Sequence, residues 1–352
     1  MLVLNSLRAL HLRSFTTTAS IGRARAVLTR NDVDFVLNPE KKHLDAFMEC
    51  HGNDRAVFKK DDILLWQKSF GEDYKFRVMC TKGTNEVIAS SHSCLFRPID
   101  SSNKPTTFIG LGWVAPKIRK LRGAALASDM LKEGAMTAED QITSNVNGAL
   151  LRFWHLLCNK KNSDKTGSEA LNIGYKSFYE YKDVFIPEGI SISFDGITIK
   201  NAKDVPKKDM IAYDQTIHPY HREEYFVSHM NDKEGFGKVA YDEKGKVVGM
   251  AQAVIYPKGD CNLGPVYGDN PRVVQAMFAE ILKDIKASGK LVKSFEVRSI
   301  DSSEESYTWI KPFLKCEQSK EEACRLFYHH WKPVNVDYSK VYAPTHAQLF
   351  LV

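Results

Sequence analysis

The chain has 352 residues, enough for two ordinary hydrophobic cores. Its apolar fraction of 43% and charged fraction of 26% argue against a disordered or membrane-spanning class, and no apolar run approaches the roughly 20 residues needed to cross a bilayer. The formal charge of +6 comes mainly from residues 1–30, which hold five Arg and no Asp, Glu or Lys; the remainder is close to neutral and gives no nucleic-acid footprint.

Those first 30 residues are Arg-rich and hydroxyl-rich, and Leu2, Leu4, Leu7, Leu10 and Leu12 share much of one helical face. This composition predicts a mitochondrial targeting segment and hence a matrix location; a frayed basic tail is the plainer reading. Arg13, Phe15 and Thr18 resemble a two-step processing pattern, with cuts after Ser14 and before Arg23. The seven cysteines are scattered and never spaced as CxxC, which fits a reducing compartment and no structural zinc.

Helices are expected over Glu40–His51 and Asp61–Phe70, then strands over Tyr74–Cys80, Val87–Phe96 and Thr106–Val114. Helices near Arg122–Glu133 and Gly148–Cys158 flank a strand at Gln141–Asn145, and Ser177–Phe185 closes the first half before Pro187 and Gly189. The second half opens with short strands at Ile190–Phe194 and Gly196–Lys200, followed by helices within Asp204–Asn231. Asp242-Glu-Lys-Gly245 predicts a hairpin joining Gly237–Tyr241 to Val247–Ile255. A strand at Asn262–Tyr267, a helix at Pro271–Ala287, a strand at Lys293–Ile300, a helix at Ser303–Leu314 and paired strands toward Leu349–Val352 complete the chain. Both halves share one element order, an α+β pattern rather than regular βαβ alternation. The expected division is 1–30 for targeting, 31–188 for the first domain and 189–352 for the second.

Two stretches combine a glycine-bearing strand, a short loop and a helix start: Thr106–Leu126 and Cys261–Met277. A helix N-terminus has unpaired amides and partial positive charge, which suits a phosphate or pyrophosphate. In the first, Lys117, Arg119, Lys120 and Arg122 add cations; an ordinary basic helix start is the alternative. In the second, Asp269 or Asn270 is placed to cap the helix and Pro271 suits its first position.

This order of elements resembles the GNAT N-acetyltransferase superfamily across nearly everything after residue 35, as two tandem domains. The resemblance implies a mixed, mostly antiparallel twisted sheet flanked by helices in each half. It also implies acetyl-CoA or another acyl-CoA in a wedge between two splayed central strands. The family's Q/R-x-x-G-x-G/A loop falls on Arg119, Arg122 and Ala124, or one residue later on Lys120, Gly123 and Ala125. By that resemblance the coenzyme contacts are Trp113, Val114, Arg119, Lys120, Leu121, Arg122, Gly123 and Ala124. Val247-Val-Gly-Met250, Leu263–Pro271 and Cys324–Tyr328 resemble a GNAT branch found in bacterial and nematode tandem acetyltransferases, which adds Val266, Tyr267 and Gly268 as contacts.

In the family, a Tyr often protonates the departing thiolate; here Trp154 takes that place and is a donor only. Asp214 resembles an acidic position of the branch, and Glu296 and Tyr307 are candidate base and acid. Asp214, His218, His221 and Arg222 share a neighbourhood, but Pro219 breaks metal-ligand spacing and no metal is expected. The implied activity is acyl transfer from coenzyme A to an amine; the alternative is an inactive coenzyme A sensor or interaction scaffold. Charge favours the first half as the coenzyme site, and loop geometry, through Gly264, Pro265 and Gly268, favours the second. The family's usual placement points to the first, with the second supplying acceptor contacts or a weaker site.

Overall fold

The computed structural model describes residues 27–52, 58–133, 142–147, 170–188, 196–300, 308–315, 322–329, 336–346 and 349. The first half runs β1 (Val33–Leu37), α1 (Lys41–Gly52), α2 (Lys60–Phe70), β2 (Tyr74–Thr81), β3 (Val87–Phe96), β4 (Thr106–Val114), α3 (Ala124–Lys132), β5 (Ile142–Asn147) and β6 (Ala170–Glu180). The second runs β7 (Thr198–Asn201), α4 (Lys207–Ile217), α5 (Glu223–Met230), β8 (Lys238–Tyr241), β9 (Val247–Ile255), β10 (Asp260–Gly268), α6 (Pro271–Ser288), β11 (Ser294–Ile300), β12 (Glu322–His329) and β13 (Val341–Ala343). The α+β architecture with two GNAT-like lobes is therefore present.

The lobes share one sheet, in the order β1-β2-β3-β4-β5-β12-β6-β11-β10-β9-β8-β7, with β13 added on β10. The order is symmetric about the β12–β6 pair. Each lobe's sixth strand has crossed over: β6 pairs with β11 of the second lobe, and β12 pairs with β5 of the first. Strands from both sides of residues 188 and 189 thus lie in the other half, so the two lobes are interlocked by their own backbone hydrogen bonds.

Strand alternation sets the two faces. In β2, Tyr74, Phe76, Val78 and Cys80 join a core that also takes Phe47, Trp66, Met210, Phe226 and Tyr267, so α1, α2, α4 and α5 cover one face of both lobes continuously. On the other face the lobes are covered separately. Met79 packs with Leu126, Ala127 and Met130 of α3, whereas Phe295 and Val297 pack with Phe278 and Ile281 of α6.

Local chemistry matches the expected turns. The Asp242 carboxylate accepts from the Lys244 and Lys246 amides in the β8–β9 hairpin. Asn270 caps α6 by accepting from Val273 N at 3.1 Å, and Pro271 occupies the first turn. The expected helix at Gly148–Cys158, including Trp154, the strand at Ile190–Phe194 and residues 350–352 lie outside the described residues. Among the described residues no helix is long and apolar enough to cross a membrane.

Candidate active site in two wedges

In the first lobe β4 and β5 run parallel and pair over three positions, from Thr107↔Ile142 to Ile109↔Ser144. Beyond Ile109 they part. β5 continues against β12, and the β4–β5 pairing ends at Ile109↔Ser144. A bulge marks the parting: the β3–β4 register shifts between Ser90 and His92, and Leu111 stands at φ +48°. A Cβ placed on Gly112 would meet nothing within 4 Å. This wedge is open.

Pro116–Ile118 forms a single turn, and residues 119–123 follow as a wide turn that leads into α3. Arg122 adopts φ +67°, the left-handed conformation that a glycine usually supplies. That backbone fits the register in which Arg122 takes the middle glycine position, between Arg119 and Ala124. Gly123 is required for a different reason, because a Cβ there would sit 2.7 Å from the Ile118 carbonyl oxygen. Arg119 donates from Nε to the Val114 carbonyl at 2.8 Å, and the Leu121 carbonyl accepts from Leu28 N at 3.2 Å. Trp113, Val114 and Leu121 are half-buried, and Arg119, Arg122 and Ala124 are exposed; Lys120 lies in the same turn. Of the nearby cations, Lys117 is already paired with Glu86.

The second lobe repeats the geometry and then closes it. β10 pairs with β11 only from Asp260 to Leu263, and its register with β9 shifts between Leu263 and Val266. Here the wedge is filled by β13, through Val266↔Ala343 and Tyr267↔Val341. Gly264 is where this strand's continuation comes closest, since a Cβ would lie 2.1 Å from the Pro344 carbonyl oxygen. Gly268 backs onto Val274 of α6. Val266 and Tyr267 are buried. The place expected for a second coenzyme, along Val266, Tyr267 and Gly268, is thus taken by the chain itself. Asp269 accepts from the Tyr213 hydroxyl at 3.0 Å and pairs with Lys340, which ties the loop to α4 and to the segment before β13.

Behind this plug lies a buried polar cluster around Arg222. Its Nε and Nη2 donate to the two carboxylate oxygens of Asp214 at 2.9 and 2.5 Å. Nη1 donates to Thr345 Oγ1 at 3.1 Å, and Nη2 also reaches His218 Nδ1 at 2.8 Å and the Tyr267 hydroxyl at 3.3 Å. Burial pushes the Asp214 carboxyl upward and the guanidinium opposes it; Arg222 itself stays protonated, burial opposing and the carboxylate prevailing. Asp214 is therefore committed to Arg222 rather than open to an amine. His218 is a buried member of this cluster, whereas His221 is exposed.

Glu296 is buried on β11, where Oε1 accepts from Arg298 Nε at 3.1 Å and Oε2 lies 3.3 Å from Lys176 Nζ. β11 is three strands from β5 in the sheet, or about 14 Å at ~4.8 Å per strand. Glu296 is thus remote from the open wedge. Tyr307 lies outside the described residues. Among the described residues no group of three or more His, Cys, Asp or Glu is placed to hold a metal ion. Cys261 is buried, and burial pushes its thiol well up, away from a thiolate nucleophile.

A second buried cluster joins the lobes. His346, beyond β13, meets the Tyr256 hydroxyl at 2.9 Å, Asp62 of α2 at 3.4 Å and the Trp66 ring edge-on at 5.0 Å. His229 of α5 lies beside it, with Nε2 donating to the Gly264 carbonyl at 2.8 Å. Burial, reinforced by His346, lowers His229 from 6.5 to about 4. The unfolded chain therefore takes up that proton first, so this residue costs no stability above about pH 6.5 and a growing amount as pH falls toward 4. Between pH 7.5 and pH 5 the expected loss is roughly 2 kcal/mol, read from denaturant midpoints. His229→Gln should flatten the slope. An equal slope in that variant would assign the effect elsewhere.

Sequence reasoning did not find Thr345, His346 or the β13 plug. Their only signal was the short strand-like Val341-Tyr-Ala343 beside Pro344, with nothing local to name its partner.

Several solved structures share this architecture. A putative acetyltransferase from Pyrococcus horikoshii superposes with a TM-score of 0.58 at 13% identity, over 93% of this chain and 98% of that one. A tandem GNAT protein from the clavulanic acid biosynthesis pathway gives 0.59 at 12%, over 84% and 97%. Saccharomyces cerevisiae N-myristoyltransferase with bound myristoyl-CoA gives 0.58 at 10%, over 92% and 86%. At such identities the likeness is one of fold, and the fold is the GNAT fold in two lobes. No curated protein matches the chain. The family model described as "Protein of unknown function (DUF1248)" matches residues 30–217, from the turn before β1 through the end of α4, and the chain belongs to that family.

Proposed function

We propose that this protein is a coenzyme A-dependent N-acyltransferase that holds one acyl-CoA in the first-lobe wedge and transfers its acyl group to an amine. The observation that carries this reading is the contrast between the wedges: among the described residues no strand follows the last β4–β5 pair before a turn with Arg122 at φ +67°, whereas β13 pairs along the equivalent edge of β10. Pantetheine amides would meet the backbone of β4 beyond its last pair with β5, and the pyrophosphate would meet the turn and its exposed arginines. A neutral amine would attack the thioester carbonyl and expel the coenzyme thiolate. Thr106–Ala124 contains no carboxylate and no histidine, so the base that takes the amine proton must come from another element. A matrix location, motivated by the acid-free start, is part of the same reading; terminal sequencing of organellar protein should find residue 15 or 23 first, and an intact Met1 would contradict it.

The sensor reading is favoured by one observation: Asp214 and Glu296 are both held in ion pairs within the second lobe. Thiol release with a panel of amines separates the two readings, because a sensor binds without turnover. For the site itself, Arg122→Glu is expected to weaken acetyl-CoA binding more than tenfold, or ~1.4 kcal/mol, with the melting temperature retained. Arg122→Gly keeps the backbone and should lose less. Gly123 is a poor place for this test, since any side chain there strikes the Ile118 carbonyl. Unchanged affinity in Arg122→Glu would move the pyrophosphate elsewhere.

A further inference from the structure

Arg77, on β2, is only 4% exposed, yet among the described residues its guanidinium faces no carboxylate in any ion pair or hydrogen bond. Nη1 donates to Ser93 Oγ at 3.1 Å and reaches the Lys75 carbonyl at 3.4 Å, but Nε and Nη2 have no hydrogen-bond partner. Burying an unpaired charge is costly, and arginine does not relieve the cost by losing its proton. Burial does push Arg77 down, to about 10, which still leaves it cationic at neutral pH.

The unpaired edge has a defined chemistry. Elsewhere in this protein the same Nε/Nη2 edge holds a carboxylate side-on: Arg97 on Asp73 at 2.6 and 2.7 Å, and Arg222 on Asp214 at 2.9 and 2.5 Å. Arg77 offers this edge with nothing on it. Directly across the β2–β3 ladder stands Ser91, buried, its hydroxyl also without a partner. Arg77 and Met79 share the face that α3 covers. Two unsatisfied polar side chains thus stand opposite each other as register partners in this buried layer.

We propose that Arg77, with the hydroxyls of Ser91 and Ser93, forms a buried site for a two-oxygen anion, a carboxylate or phosphate, beneath α3. Two sources present this chemistry: a free small oxyanion, or the terminal carboxylate of a dicarboxylic acyl group carried on the coenzyme. The second source rests on the coenzyme reading above; the first does not. β2 lies two strands from β4, about 10 Å by strand spacing.

The test uses the full chain in HEPES free of small oxyanions. Sodium phosphate and sodium formate are each titrated while the melting temperature is followed, and succinyl-CoA is compared with acetyl-CoA by calorimetry. A free-anion site predicts a rise of several degrees with phosphate or formate in the wild type. That rise should be absent in Arg77→Met and reduced in Ser91→Ala, which also serves if Arg77→Met does not fold. An acyl-carboxylate site predicts succinyl-CoA binding at least tenfold tighter than acetyl-CoA, a preference lost in the same variants. Acetyl-CoA binding without either effect overturns the anion site and leaves the coenzyme reading intact. Phosphate stabilisation without any coenzyme binding does the reverse. A wild type indifferent to both anions and to the acyl carboxylate refutes the proposal.

Discussion

Replacing Arg222 with Met is expected to lower stability by about 3–5 kcal/mol. The residue is a hub: it meets Asp214 side-on, and it also bonds Thr345, His218 and Tyr267. Thr345 belongs to the segment that follows β13, so the same side chain holds α4, α5, β10 and the plug together. Removing it leaves the Asp214 carboxylate buried with no counter-charge, and this uncompensated charge sets the size of the loss. Asp214→Leu added to Arg222→Met should recover part of the stability, because an apolar pair of similar volume carries no such charge. Urea midpoints of the single and double variants check this. A double variant no better than the single one would mean that lost packing, not the stranded charge, dominates.

Gly264→Ala is the second large effect, expected at about 2–3 kcal/mol. Its Cβ would press on the Pro344 carbonyl at 2.1 Å and the Thr345 carbonyl at 3.0 Å, both backbone atoms with no rotamer to swing away. β13 would have to move off β10, and the Arg222–Thr345 bond would go with it. The counterpart in the open wedge is Gly112→Ala, where a methyl meets nothing; that change is expected within about 0.5 kcal/mol of the wild type. Thermal melts of the two variants side by side report on the asymmetry of the wedges. Equal losses would mean that the first wedge is as tightly filled as the second.

The wedge device was legible twice because its ingredients are local: glycines near a strand end, a loop, and a helix start capped by Asn270 and Pro271. What fills each wedge was not legible. Gly264 marks a close approach of backbone, and what approaches it is backbone some 80 residues further on. Close approach leaves the same sequence mark whatever approaches. The crossing of β6 and β12 escaped for a similar reason, since a strand's alternation shows that it pairs and not with which lobe. Asp214 and Glu296 were visible as acids but not as members of ion pairs, because Arg222 and Lys176 reach them only through tertiary structure. Arg122 stands where the family loop carries glycine, and the backbone takes the left-handed conformation there all the same, a cost of order 1 kcal/mol that an exposed arginine can bear.

The proposal that the first-lobe wedge alone takes the coenzyme is tested most directly by hydrogen exchange followed by mass spectrometry, with and without saturating acetyl-CoA. A calorimetric titration is read beside it. A single open wedge predicts one site per chain, with new protection confined to Gly110–Ala124 and lost in Gly112→Leu at an unchanged melting temperature. Two sites per chain, or protection centred on Val266–Pro271 while Gly110–Ala124 exchanges as before, would contradict it.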